Sequence, residues 1–120
     1  MRYLPGLFIA LSLLAIALLR TSAHSNKHHG KPTPTPAPAP ATLTLAWDAV
    51  PATTDPATNP VGYRIWEGFS PRQETVLVDV KTATVWTLSL TRGSTYYFVV
   101  TAYNAAGTNS PPSNEVAVTP

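Results

Sequence analysis

The chain has no cysteine among its 120 residues, one methionine and a charged fraction of only 12%. Without cysteine there is no disulfide framework and no thiolate metal site. Its three histidines, His24, His28 and His29, all lie in one short stretch near the N-terminus. A hydrolytic site needs a nucleophile beside a base, or paired carboxylates. No histidine or cysteine falls beyond position 29, and no two acids share one face of a predicted strand, so no catalytic constellation is expected. Charge is equally uninformative about nucleic acid. From Thr42 onward the cations are Arg64, Arg72, Lys81 and Arg92, against Asp48, Asp55, Glu67, Glu74, Asp79 and Glu115. This part is net negative and its cations are scattered, whereas a nucleic-acid binder clusters them. A helical period of 3.6 is missing throughout the chain after the first two dozen residues.

What is present divides into three parts. Residues 1–23 carry Arg2, an almost wholly apolar run from Leu4 to Leu19, and the small residues Thr21, Ser22 and Ala23. That is the pattern of a secretory signal cleaved before His24; the alternative is an uncleaved N-terminal anchor, for which a run of about sixteen residues is short of the roughly 20 that a span needs. Either way the chain is expected outside the cytoplasm: secreted, periplasmic or at the cell surface. A cysteine-free exported domain fits bacterial export better than a disulfide-rich eukaryotic secretome. Residues 24–41 are rich in His and Pro, and Pro alternates with Lys, Thr or Ala from Lys31 to Pro40. Each residue before a proline is held extended, so this segment is expected to be a disordered polyproline II spacer, about 3.1 Å per residue. His24, His28 and His29 are read as a solvated tail rather than a metal site, because a second ligand from a rigid core is lacking.

Residues 42–120 read as one all-β domain: short alternating runs separated by Pro, Gly, Asn and Asp. Leu43, Leu45 and Trp47 alternate in a first strand. Gly62 to Gly68 (GYRIWEG) is a second, with Tyr63 and Ile65 inward and Arg64 and Trp66 outward. Thr75 to Val80 makes a third and Thr84 to Leu90 a fourth, with Trp86, Leu88 and Leu90 on one face. Tyr96 to Tyr103 is the fifth, with Tyr96, Phe98, Val100 and Ala102 at every second position. A closing run from Asn114 to Thr119 carries Val116 and Val118. Asp48, Asp55 and Asn59, between the first two strands, match no cation-loop spacing and read as turn formers. The predicted core is therefore Trp47, Tyr63, Ile65, Leu88, Leu90, Tyr96, Phe98, Val100, Ala102, Val116 and Val118.

The ordered set of an inward Trp47, Gly-Tyr opening the next strand, Leu90 six residues before Tyr96, then Ala102, Asn104, Gly107 and Ser113, resembles a fibronectin type III domain over Thr42 to Thr119. It is similar to the compact variants of secreted bacterial proteins. The resemblance implies an immunoglobulin-like sandwich of six to seven antiparallel strands, lettered B (Trp47), C (Tyr63, Ile65), C′ (Val76, Val78), E (Leu88), F (Tyr96) and G (Val116). It also implies a tyrosine corner, in which the Tyr96 hydroxyl bonds a backbone group near Leu90 to Gly93. Strand A would have to come from Pro38 to Thr42, short and Pro-rich, so that edge is expected to be missing or irregular. No Arg-Gly-Asp is present, and integrin binding is not implied.

A non-catalytic binding or spacer module follows, with no cofactor, no metal and no membrane contact beyond a retained signal. Its expected binding face is the outward side of the second and fifth strands: Arg64, Trp66, Tyr97, Val99, Thr101 and Tyr103. Exposed aromatics there serve either a protein partner at the cell surface or, alternatively, a carbohydrate stacked on the rings. The plain structural reading of the same residues is cross-strand pairing, worth roughly 0.2–1 kcal/mol per pair.

Overall fold

A computed structural model describes residues 13–16, 32, 34–37 and 39–120. The expected cleavage point, the three histidines and most of the signal lie outside the described residues. The described spacer positions 32, 34–37, 39 and 40 are exposed and without regular structure.

Seven strands are present: β1 (Leu13–Ile16), β2 (Ala41–Trp47), β3 (Gly62–Gly68), β4 (Thr75–Lys81), β5 (Val85–Leu90), β6 (Tyr96–Tyr103) and β7 (Val116–Val118), with no helix among the described residues. They form two antiparallel sheets, ordered β1-β2-β5 and β4-β3-β6-β7. The sequence reading places these strands correctly, with small shifts at their ends. The exception is the edge beside β2. The stretch from Pro38 to Thr42, expected to be a missing or irregular edge, forms no separate strand among the described residues: Ala41 and Thr42 already belong to β2 and pair with Leu90 and Ser89. The edge is occupied instead by β1, from the N-terminal apolar run.

Alternation builds the core. Leu43, Leu45, Trp47, Val50, Tyr63, Ile65, Val80, Leu90, Tyr96, Phe98, Val100 and Ala102 are buried between the sheets, with Leu88, Val116 and Val118 half-buried at its rim. Val50 lies in the β2–β3 loop where no apolar period exists. It is held because its N–H donates to the Tyr63 hydroxyl at 2.8 Å, while the Tyr63 ring meets Trp47 edge-on at 5.9 Å.

Two register shifts interrupt the pairing of β3 with β4. One of them sets Leu77 out of line, so Val76 pairs with outward Trp66 while Val78 pairs with inward Ile65. Simple alternation puts Val76 and Val78 on the same side; the bulge separates them. The last strand is short for an equally specific reason. Pro111 and Pro112 cannot donate to a ladder, so beyond Phe98 the peptide groups of β6 are met by serines. Ser113 N donates to Val100 O and Ser110 N to Ala102 O, while their hydroxyls accept from Val100 N and Ala102 N at 2.9 Å each. The expected tyrosine corner is formed: the Tyr96 hydroxyl accepts from Thr91 N at 3.0 Å.

Candidate functional site

The outward residues of β3 and β6 meet as a hydrogen-bonded lattice. In the β3–β6 register Gly62 faces Tyr103, Arg64 faces Thr101 and Trp66 faces Val99. The Trp66 indole N–H donates to Thr101 Oγ1 at 2.9 Å, and Thr101 Oγ1 donates on to Asn109 Oδ1 at 3.4 Å. Arg64 donates to the same Asn109 oxygen at 2.6 Å and to Gly107 O at 3.1 Å. Its guanidinium lies 4.1 Å from the centre of the Tyr103 ring, a cation–π contact. The Tyr103 hydroxyl donates to Asp79 Oδ1 at 3.0 Å. The N–H of Lys81 holds the Asp79 carboxyl below its usual range, and the Tyr103 hydroxyl adds to that. Partial burial, then the bond to Asp79, pushes the Tyr103 hydroxyl up.

Two of the six expected face residues are not available to a ligand. Val99 is 6% exposed and Thr101 0%. Both point away from the inter-sheet core, as expected, but both are buried; Thr101 is engaged by Trp66 and Asn109. Tyr103 is half-buried and already engaged on its ring by Arg64 and over Gly62, where a Cβ would run into the Tyr103 ring. Gly62→Ala should therefore displace that ring and break its contacts with Arg64 and Asp79, costing about 1–2 kcal/mol as overpacking does. Urea unfolding at neutral pH measures it.

Among the exposed apolar residues, two sit one strand over from this lattice. Val76, paired with Trp66, is 51% exposed, and the bulged Leu77 is 44% exposed. Together with half-buried Trp66 they form a patch at the β4 edge of the four-stranded sheet. Alternation missed Val76 because only the bulge turns it outward. Tyr97 is also half-buried, set between Gly68 and Ala117 on the neighbouring strands.

Beside this patch the fold makes an acidic pair that strand-face reasoning did not foresee. Glu74 precedes β4 and Glu115 precedes β7, and Arg72 N donates to Glu115 Oε2 at 2.8 Å, so the β3–β4 loop is tied to a strand at the far edge of its sheet. Burial pushes the Glu74 carboxyl above its ordinary 4.5, and a hydrogen bond with Glu115 adds to this. Glu115 is held below its ordinary value by that same bond and by the Arg72 N–H. The signs oppose each other. Glu74 stabilises the fold below pH 4.5 and loses that contribution as pH rises through its raised pKa; Glu115 contributes above pH 4.5 and loses it as pH falls through its lowered one. Glu74→Gln keeps the protonated shape, so it should raise Tm at pH 7 and lose that advantage below pH 4.5. Thermal melts across this range decide it. Burial alone pushes Glu67 up as well. In the β2–β3 loop, Asp55 and Asn59 act as turn formers: Asp55 Oδ1 accepts from Ala57 N at 3.0 Å, and Asn59 Oδ1 accepts from Thr53 N.

A family model described as the fibronectin type III domain matches residues 32–119. Comparison with curated protein sequences returns no match. Among solved structures, the chain is similar to a β-1,2-glucanase from Parabacteroides distasonis, with 21% identity over 65% of this chain and 10% of that one and a TM-score of 0.54. It is similar to a pectate lyase from Erwinia chrysanthemi, solved with tetragalacturonic acid, with 12% identity over 92% of this chain and 28% of that one and a TM-score of 0.53. It is also similar to the twitchin kinase region from C. elegans, with 22% identity over 65% of this chain and 14% of that one and a TM-score of 0.52. The chain thus spans between 10% and 28% of the length of these three, and at such identities the likeness shows the fold alone.

Proposed function

The chain belongs to the fibronectin type III family, and from that premise we propose that it is an exported, non-catalytic module that binds a protein partner at the cell surface. Domains of this family are binding and spacer modules. The observation that carries the protein-binding reading is the apolar patch of exposed Val76 and Leu77 beside half-buried Trp66 at the β4 edge of the sheet, a strand that also carries the polar Asp79 and Lys81. Apolar centres with polar rims are what protein interfaces use. Saccharide binding, the other expectation, wants two free aromatic faces in line. Trp66 retains some exposure, but Tyr103 is engaged by Arg64 and over Gly62, which speaks against it.

The test places a photo-crosslinking amino acid at Val76 or, as control, at exposed Ser89 on the opposite sheet, in the exported protein within its own cells. The Val76 position should trap one surface protein and the Ser89 position none. Equal labelling from both positions, or none from either, would leave the spacer role alone standing. Val76→Glu should remove binding while changing stability by less than about 1 kcal/mol, as exposed positions do.

A further inference from the structure

β2 is bordered by β5 on one side and by β1 on the other. One hydrogen bond fixes which way its peptide groups turn: Trp47 N donates to Thr84 O. In an antiparallel ladder the direction alternates, so Ala41, Leu43, Leu45 and Trp47 face β5. Thr42, Thr44 and Ala46 turn their N–H and C=O groups to the outer edge. The Thr44 and Thr87 hydroxyls, 3.0 Å apart, agree with the closely spaced, non-hydrogen-bonded pair that this requires. On the outer side the register sets Leu14 opposite Ala46 and Ile16 opposite Thr44, so β1 meets those outward peptide groups.

The sequence of this edge is unguarded. Edge strands avoid joining one another through charges, prolines or bulges. Ala41–Trp47 (ATLTLAW) has no charge and no proline, and its pairing with β5 runs without a register shift. The β4 edge, by contrast, has two register shifts and carries Asp79 and Lys81. β2 is also nearly its own complement. Antiparallel pairing about a twofold axis at Thr44 sets Thr42 opposite Ala46 and Leu43 opposite Leu45, with every opposing pair neutral. The inward leucines of both copies then continue one core face. The strand that fills this edge lies on the far side of the expected cleavage point between Ala23 and His24, so cleavage removes β1 and leaves β2.

We propose that the outer edge of β2 is a strand-docking site for a second copy of this chain, filled by residues 13–16 in the precursor and opened when the leader is removed. This rests on the export reading above. Two processed chains then share a continuous sheet in the order β5-β2-β2-β5.

Native mass spectrometry and analytical ultracentrifugation, applied to the processed protein from exporting cells and to the full chain made without export, test this. The processed protein should weigh two chains and the precursor one. Ala46→Pro removes an outward N–H and leaves the β2–β5 ladder alone, so it should halve the processed mass. Thr42→Lys, which puts a charge on the edge, should do the same where proline disturbs β2. A processed protein of single-chain mass overturns the proposal, as does a dimer that survives both substitutions. Should the exported protein retain its leader, the cleavage step fails, and the docking site is read in the full chain. There Leu14→Pro combined with Ile16→Pro frees the edge and should double the mass; a single chain in that variant overturns the site itself.

Discussion

Trp66→Ala should destabilise the domain by about 2–4 kcal/mol, somewhat less than a fully buried tryptophan would cost, because this one is only half-buried. It should also abolish crosslinking through Val76. Two losses add. Truncation removes the indole N–H that Thr101 Oγ1 accepts at 2.9 Å, and Thr101 is fully buried, so its oxygen loses a donor without gaining water. It also strips the ring from its cross-strand neighbours Val76 and Val99. Because stability and binding fall together in this variant, Val76→Glu is the partner measurement: it should lose binding with the fold intact. If Trp66→Ala unfolds at the parental urea midpoint, the indole has no structural role and the lattice described above is wrong. If it keeps binding, the patch is not the interface.

Tyr96→Phe should cost about 1–3 kcal/mol, the range for leaving one partner of a hydrogen bond unmet. Phenylalanine keeps the ring, with its near-parallel neighbour Phe98 at 6.2 Å and Phe69 at 5.2 Å, so only the bond from Thr91 N at 3.0 Å is lost. Thr91 itself is exposed and water can reach its N–H, which places the expected value in the lower half of that range. Urea midpoints with an unchanged m-value isolate the effect. A loss of a few tenths of a kcal/mol or less would mean that the corner is a consequence of the fold and adds nothing to holding it.

Alternation by itself determined the inward face of most strands, while the sandwich was what the family resemblance implied. A period of two sorts each strand into two faces, and Leu43, Leu45, Tyr63, Ile65, Phe98 and Val100 therefore had only one side on which to be buried. The tyrosine corner, which the resemblance implied, closes locally: Tyr96 lies five positions after Thr91, across one turn. Contacts between residues far apart in sequence were decided by the tertiary structure alone. A bulge opposite Trp66 turned Val76 outward, against its own alternation. Burial without a visible period brought Val50 under Tyr63, and the β3–β4 loop brought Glu74 to Glu115 across the width of a sheet. Val99 and Thr101 point outward as their positions require, yet they are buried. Direction is a property of the strand, whereas exposure depends on what the rest of the chain lays over it. The edge of β2 shows the same division. Its unguarded sequence can be read from ATLTLAW, but that Leu13–Ile16 fills it follows only from the pairing of strands separated by residues 17–40, because an open row of peptide groups accepts any strand that reaches it.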